Sequence, residues 1–275
     1  MIEESLESLV PARFAADPKY RQGHVRILNV RHGRKILGVH VPEMKSLAKE
    51  LSGRADALSI ISSFEREAAA ERDAYGSRLN YEELVVWGLM VNYVKVPLTE
   101  RLELVRKFVP YIDSWSVCDI FDGAAKWVVR EKRKDPAPIW DLIRGYFKSG
   151  REFEVRFAVV MSMSYFLEKE YLPELFSMMD SLDFDNIESS YVLERKTRKT
   201  TACPDRKAER GEGVALGEPP YYVRMAVAWC LATSLAKFPE ETRSFMSISR
   251  LPEDVRKLYA RKARESFRTR DVKPF

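Results

Sequence analysis

The sequence predicts an all-α fold, an α-solenoid in which helical repeats stack side by side. Three observations lead to this prediction: the spacing of the apolar residues, the positions of the prolines and an internal repeat. The chain has 275 residues, of which 45% are apolar and 32% are charged. This composition suits a folded protein with a sizeable core and excludes the disordered and low-complexity classes.

Apolar residues recur three and four positions apart through most of the chain, for example at Met44, Leu47, Ala48 and Leu51. This spacing places them on one face of an α-helix, whereas the residues of a half-buried strand alternate. Prolines and short polar clusters separate the stretches, and Pro42 is predicted to open a helix. We therefore expect consecutive helices joined by turns.

An internal repeat indicates how the helices are arranged. The pattern Val-Arg-x-Ala-Val occurs around Arg156 and again around Arg224, 68 positions later. A polar stretch at about 188–218 lies between them, and without its roughly 30 residues the offset is on the order of 40, the period of two-helix HEAT-like repeats. We predict a single domain over residues 1–275 that contains this polar insertion. A chance match between two apolar helices is the alternative.

The charge balance is compatible with a polyanionic partner. Lys and Arg number 46 against 41 Asp and Glu, which gives a formal net charge of +5. Charges scattered over solvated helices would give the same total. The densest basic stretch, at 256–268, is the predicted phosphate contact, and a solvated last helix is the alternative. The insertion is predicted to be a surface loop, with a DNA-contacting arm as the alternative.

The cysteines and histidines do not form a metal-binding pattern. The three cysteines are too widely spaced for a Cys-x-x-Cys site and favour a reducing compartment. His24, His32 and His40 lack an acid or a cysteine at ligand spacing, so we interpret them as surface or phosphate-contacting residues. The chain start does not resemble a signal peptide, and no apolar run approaches the ~18 residues that cross a bilayer. We expect a cytoplasmic monomer with no metal, cofactor or membrane contact.

One predicted helix combines an aromatic side chain and a carboxylate on its exposed face. It is expected to begin near Asp113 or Ser114, which are residues of the capping type. Trp115 and Asp119, four positions apart, should project together and away from the packing face. A solvated surface acid beside a peripheral packing residue is the alternative. The predicted apolar stripe contains Val117, Phe121, Ala124 and Val128, and the opposite stripe contains Trp115, Asp119, Asp122 and Lys126.

Arg156 lies in a helix whose other positions are largely apolar. It should be partly buried and paired with a carboxylate, because an unpaired buried charge costs several kcal/mol. In a solenoid the equivalent helix of the previous repeat lies alongside, and one period before Arg156 is Asp119. The alternatives are that Arg156 extends to solvent or pairs within its own repeat.

Together these motifs resemble the DNA alkylation repair proteins of the AlkD type. The resemblance rests on Trp115 and Asp119 in the context Asp-Ser-Trp-Ser-Val-Cys-Asp and on Val-Arg-Phe-Ala-Val around Arg156. It also rests on the segment 221–229, which ends in Trp229, and on Leu-Gly-Val-His-Val-Pro at 37–42. It extends from about residue 20 to residue 268 and is interrupted at the insertion.

The resemblance implies a HEAT-like-repeat DNA glycosylase that removes positively charged alkylated purines, such as 3-methyladenine and 7-methylguanine, from duplex DNA held on a concave face. It makes Asp119 the catalytic carboxylate, Arg156 the residue that holds it, and Trp115 and Trp229 the aromatic walls of the lesion site. One departure is Ser114, since the enzymes of known activity carry a second tryptophan at that position.

The residue types fit this chemistry. An alkylated purine that carries a positive charge is already a good leaving group, so its departure mainly requires a negative charge near the oxocarbenium-like sugar. A single carboxylate is sufficient in principle, and no metal or cofactor is needed. Two alternatives remain: a non-catalytic protein that binds distorted or branched DNA, and a protein-interaction scaffold.

Overall fold

Helices form nearly all of the regular structure in the computed structural model, which describes residues 2–30, 34–70, 79–189 and 220–275. Within these ranges there is no strand, only an isolated bridge between Arg151 and Glu188. The prediction of an all-α fold is confirmed. Nearly all of the predicted insertion lies outside the described ranges, and so does His32.

The described chain divides into two compact units, with a boundary between Lys134 and Asp135. Each unit is described by itself, and the single domain and the concave DNA-binding face stay predictions. Unit 1 contains α1 (Ile2–Ser8), α2 (Ala12–Ala16), α3 (Pro18–Leu28), α4 (Val41–Ser52), α5 (Ala57–Ala70), α6 (Tyr81–Tyr93), α7 (Leu98–Phe108), a 3₁₀ turn (Val109–Tyr111), α8 (Trp115–Ala124) and α9 (Trp127–Lys132). Unit 2 contains α10 (Ala137–Phe147), α11 (Glu152–Tyr165), α12 (Leu172–Asp180), α13 (Tyr221–Lys237), α14 (Pro239–Ile248) and α15 (Glu253–Glu265).

Helix α6 is the centre of unit 1. It packs against α4 and α8 and also contacts α5 and α7, so every residue from Tyr81 to Asn92 is buried. A helix that is apolar on all sides, as α6 is, needs partners on all sides. Gly88 lets α7 approach closely, because a Cβ at that position would lie 2.6 Å from the ring of Phe108. Asn80 and Glu83 form a capping box that fixes where α6 begins.

Unit 2 has a comparable stack, in which α11 lies between α10 and α13, and α13 packs on α15. The internal repeat corresponds to this packing, because hydrogen bonds join residues about two repeats apart in sequence. Lys237 Nζ donates to the Leu167 carbonyl at 2.7 Å, and the Arg250 amide donates to Asp180 at 2.7 Å, each across 70 positions. The pattern around Arg156 and Arg224 therefore marks two neighbouring helices.

Helix α8 begins as predicted. Ser114 is its N-cap and accepts a hydrogen bond from the Val117 amide at 3.3 Å. The predicted apolar stripe is buried, but the helix ends at Ala124 rather than continuing to Val128. The placement of Asp122 on the exposed stripe is wrong, since this residue is 8% exposed. The prediction assumed one continuous helix, whereas the chain turns at Ala125.

Candidate functional site

A cavity of about 520 Å³ lies within unit 1. Its size is suitable for a small organic ligand. Four parts of the unit form it: the end of α3, the start of α4, the first residue of α6 and one face of α8. The lining residues are His24, Leu28, Val39, His40, Val41, Pro42, Met44, Lys45, Tyr81, Trp115, Ser116, Asp119, Ile120 and Gly123.

Trp115 and Asp119 both line this cavity, and both are half-buried. The structure therefore brings together the two side chains that helical spacing placed on one face of α8. Ser116, between them, is bonded to the hydroxyl of Tyr81 at 2.5 Å, which links the first turn of α8 to α6. Burial raises the pKa of Tyr81 to about 12, so this phenol stays protonated.

A buried ion pair fixes the chain immediately before Trp115. Arg34 Nε donates to Asp113 Oδ2 at 2.6 Å, and the two side chains are only 4% and 11% exposed. Ser114, the next residue, is fully buried. The sequence analysis did not identify Arg34, because 79 positions separate it from Asp113 and no local pattern relates the two.

The first two histidines are also part of the cavity. His24 and His40 are half-buried and line the same cavity as Asp119, so the interpretation of them as surface residues is wrong. His40 Nε2 lies 3.0 Å from the hydroxyl of Tyr20, and the ring of His24 contacts the ring of Phe14 edge to face at 5.5 Å. Burial lowers the pKa of His24, and the nearby charge of His40 lowers it further.

Arg156 lies in unit 2 and is buried, as predicted, with 3% exposure. Its guanidinium donates to the Tyr222 carbonyl at 3.0 Å and lies 5.8 Å from the centre of that ring. A carboxylate of the same helix, Glu152, interacts with it electrostatically: burial raises the pKa of Glu152, and the charge of Arg156 is among the effects that oppose this rise. The pairing of Arg156 with Asp119 stays a prediction.

Trp229 is 38% exposed on α13, a helix whose residues are otherwise mostly buried. An exposed indole on a rigid helix is a suitable surface for stacking a base or a sugar. Its role in lesion binding stays a prediction. The other tryptophans outside α8 are buried, as expected of core residues: Trp87, Trp127 and Trp140 are 1%, 6% and 4% exposed.

The basic stretch at 256–268 forms most of α15, and several of its charges are paired within the helix. Lys257 lies 2.7 Å from Glu253, and Lys262 lies 2.8 Å from Glu265, which also lies 3.6 Å from Arg261. Exposed pairs of this kind are weak and exchange readily with other partners. Contact of this stretch with phosphates stays a prediction.

Two searches of the described residues bear on metals and membranes. They contain no group of three or more His, Cys, Asp or Glu side chains placed to hold a metal ion. None of the helices in the described ranges combines the length and the apolar character required to cross a bilayer.

Comparison with protein families gives one match, to the DNA alkylation repair enzyme family, over residues 13–187. The matched range includes the cavity, α8 and Arg156, and it ends before Trp229. Curated proteins and solved structures gave no match. The family match covers more than half of the chain and agrees with the all-α fold and with a role in the repair of alkylated DNA. The chain belongs to the DNA alkylation repair enzyme family.

Proposed function

We propose that the protein is a DNA glycosylase that excises positively charged N-alkylated purines, such as 3-methyladenine and 7-methylguanine, from duplex DNA. One observation carries the proposal: Asp119 and Trp115 line the same cavity in unit 1. A carboxylate and an aromatic face are the two groups that stabilise a cationic base and the cationic sugar it leaves behind.

The reaction requires little from the protein beyond a placed negative charge. The bond from C1′ to the purine nitrogen breaks, and its electron pair leaves with the purine, which becomes neutral. The sugar becomes oxocarbenium-like, and a water molecule then adds to C1′ and releases a proton. At about 4 Å and an effective dielectric constant of about 20, one unit charge pair contributes about 4 kcal/mol. The face of Trp115 would add roughly 0.5–2 kcal/mol where water is excluded.

The residues of unit 2 enter the proposal through the family resemblance. Trp229 would form the second aromatic wall, and its exposed indole supports this role. Arg156 would hold Asp119, and its burial with a guanidinium directed at the Tyr222 carbonyl supports a fixed position for its charge. Duplex DNA would be held through its phosphates, which predicts an affinity that falls with salt by a log–log slope of about −0.9 per phosphate contact.

The decisive experiment compares Asp119→Asn with the wild type in a single-turnover assay of 7-methylguanine release from methylated duplex DNA. The variant should retain its fold and its DNA affinity, because Asn has the same shape, and should lose at least ~10²-fold in rate. Asp56→Asn is the matched control, because Asp56 is an exposed acid of the same unit that pairs with Arg54 and does not line the cavity. Its rate should match the wild type.

A second candidate, a non-catalytic binder of distorted or branched DNA, is favoured by Ser114. This serine is fully buried and caps α8, at the position where the active enzymes of the resemblance carry a tryptophan. DNA binding without release of any base over hours would establish this second function. Release of uracil would contradict the mechanism, since a carboxylate alone does not expel a neutral base. Absence of DNA binding at low salt would leave the scaffold.

A further inference from the structure

The charges around the cavity of unit 1 are unevenly distributed. Among its lining residues Asp119 is the only acid, whereas His24, His40 and Lys45 are basic. A cavity meant for a cation should present few positive charges, because like charges in a partly enclosed space repel each other strongly. The protonation state of the two histidines therefore determines whether this cavity suits a cation.

The surroundings of His24 favour its neutral form. Its Nε2 atom is buried and has no hydrogen-bond partner among the described residues. One side of the ring meets the ring of Phe14, and the Tyr20 ring lies 6.3 Å away. Burial and the charge of His40 both lower the pKa of His24, so at neutral pH it carries no charge.

His40 is fixed beside it. Its Nε2 atom shares a hydrogen bond with the Tyr20 hydroxyl at 3.0 Å, and the guanidinium of Arg13 stacks on the Tyr20 ring at 4.5 Å. Several helices contribute titratable or charged groups near His24. They are Tyr20 on α3 itself, Arg13 on α2, His40 and Lys45 at the start of α4, Tyr81 on α6 and Asp119 on α8.

We infer that His24 and His40 determine the charge selectivity of the Asp119 cavity: as neutral imidazoles they admit a cationic group beside Asp119, and once protonated they repel it. The inference rests on the proposed function and identifies residues that set the specificity of the same cavity. It predicts a selectivity for positive charge that is present at neutral pH and lost on acidification, although Asp119 itself would still be largely ionised near pH 5.5.

The test measures binding and does not depend on catalysis. Duplexes of identical sequence carry either a pyrrolidine abasic nucleotide, which is cationic between pH 5.5 and 7.5, or a neutral tetrahydrofuran abasic nucleotide. The ratio of the two affinities reports the preference of the cavity for positive charge, while the phosphate contacts cancel. For the wild type the ratio should be at least tenfold at pH 7.5 and should approach one at pH 5.5.

Three variants test the residues. His24→Gln combined with His40→Gln should keep a ratio well above one at both pH values, since neither side chain can acquire a charge. His24→Lys should lower the ratio several-fold at pH 7.5, because it introduces a permanent positive charge. Asp119→Asn should bring the ratio close to one at both pH values. Near-ultraviolet circular dichroism shows which variants retain the native packing.

The outcomes separate this inference from the proposed function. A wild-type ratio that does not change with pH, or an acidic decline that the double glutamine variant shares, overturns the inference. If the double variant does not fold, the wild-type pH series together with His24→Lys still decides it. A cationic preference that declines only in the wild type supports the inference, even where the wild type releases no base and the proposed glycosylase function fails.

Discussion

The helix stacks of the two units use buried carboxylates in similar places but with different partners. In unit 1, Glu82 at the start of α6 accepts hydrogen bonds from the Leu37 and Gly38 amides, at 2.9 and 2.7 Å. In unit 2, Glu152 at the start of α11 accepts from the Tyr222 amide at 2.7 Å, and Arg156 on the same helix donates to the Tyr222 carbonyl. Both units thus join neighbouring segments with a carboxylate, and unit 2 adds a buried cation.

This difference shows how one architecture supplies both structural and functional charges. Burial raises the pKa of Glu82 and of Glu152, and hydrogen bonds from neighbouring backbone amides oppose the rise in both. In unit 2 a guanidinium also opposes it. Unit 1 instead places a half-buried carboxylate, Asp119, at a cavity where a bound cation could interact with it. The buried charges of unit 2 therefore contribute mainly to stability, and the half-buried carboxylate of unit 1 is suited to ligand binding.

The largest effect is expected from removal of the buried guanidinium in unit 2. Arg156→Met should lower the free energy of unfolding by about 3–5 kcal/mol, because it leaves Glu152 and the Tyr222 carbonyl without this partner in the interior. Arg224→Met should cost roughly 1–3 kcal/mol, since Asp254, its partner at 3.0 Å, is 35% exposed and can be solvated. Urea denaturation followed by circular dichroism measures both. Equal losses would show that burial of the partner does not determine the cost.

A smaller effect compares the packing of one helix in each unit. Gly88→Ala in α6 should destabilise the protein by about 1–3 kcal/mol, because the new methyl group would overlap the Phe108 ring. Gly145→Ala in α10 meets no atom within 4 Å, and should stabilise the protein by up to about 1 kcal/mol through helix propensity. Thermal or urea unfolding of the two variants tests the pair. A neutral result for Gly88→Ala would mean that α7 can move away from α6.

The smallest effect concerns the basic helix of unit 2. Glu265→Gln removes the carboxylate that pairs with Arg261 and Lys262, so both cations become more available for phosphates. Affinity for duplex DNA should rise about two- to fivefold at low salt, with a steeper salt dependence. Glu103→Gln removes a similar exposed pair in unit 1, with Arg106, and serves as the control. An equal gain in both variants would reflect net charge alone and would argue against α15 as a phosphate contact.

Local patterns were sufficient to predict α8 and its two exposed side chains. The capping residue and the helical period are properties of neighbouring positions, so the start at Trp115 and the shared face of Trp115 and Asp119 could be predicted without tertiary structure. The same reasoning failed at Asp122, because the break after Ala124 depends on packing rather than on a strong local signal. The burial of Arg156 followed from its apolar neighbours.

The amino-acid sequence by itself determined the helical class, the internal repeat and the residue types that carry the family resemblance, since these depend on periodicity and on short motifs. Only the tertiary structure decided which distant residues complete the cavity. His24, His40 and Lys45 reach Asp119 from α3 and α4, and Arg34 fixes the approach to Trp115 across 79 positions of sequence. Contacts of this kind depend on how the helices pack, because packing brings together side chains between which the intervening chain encodes no pattern.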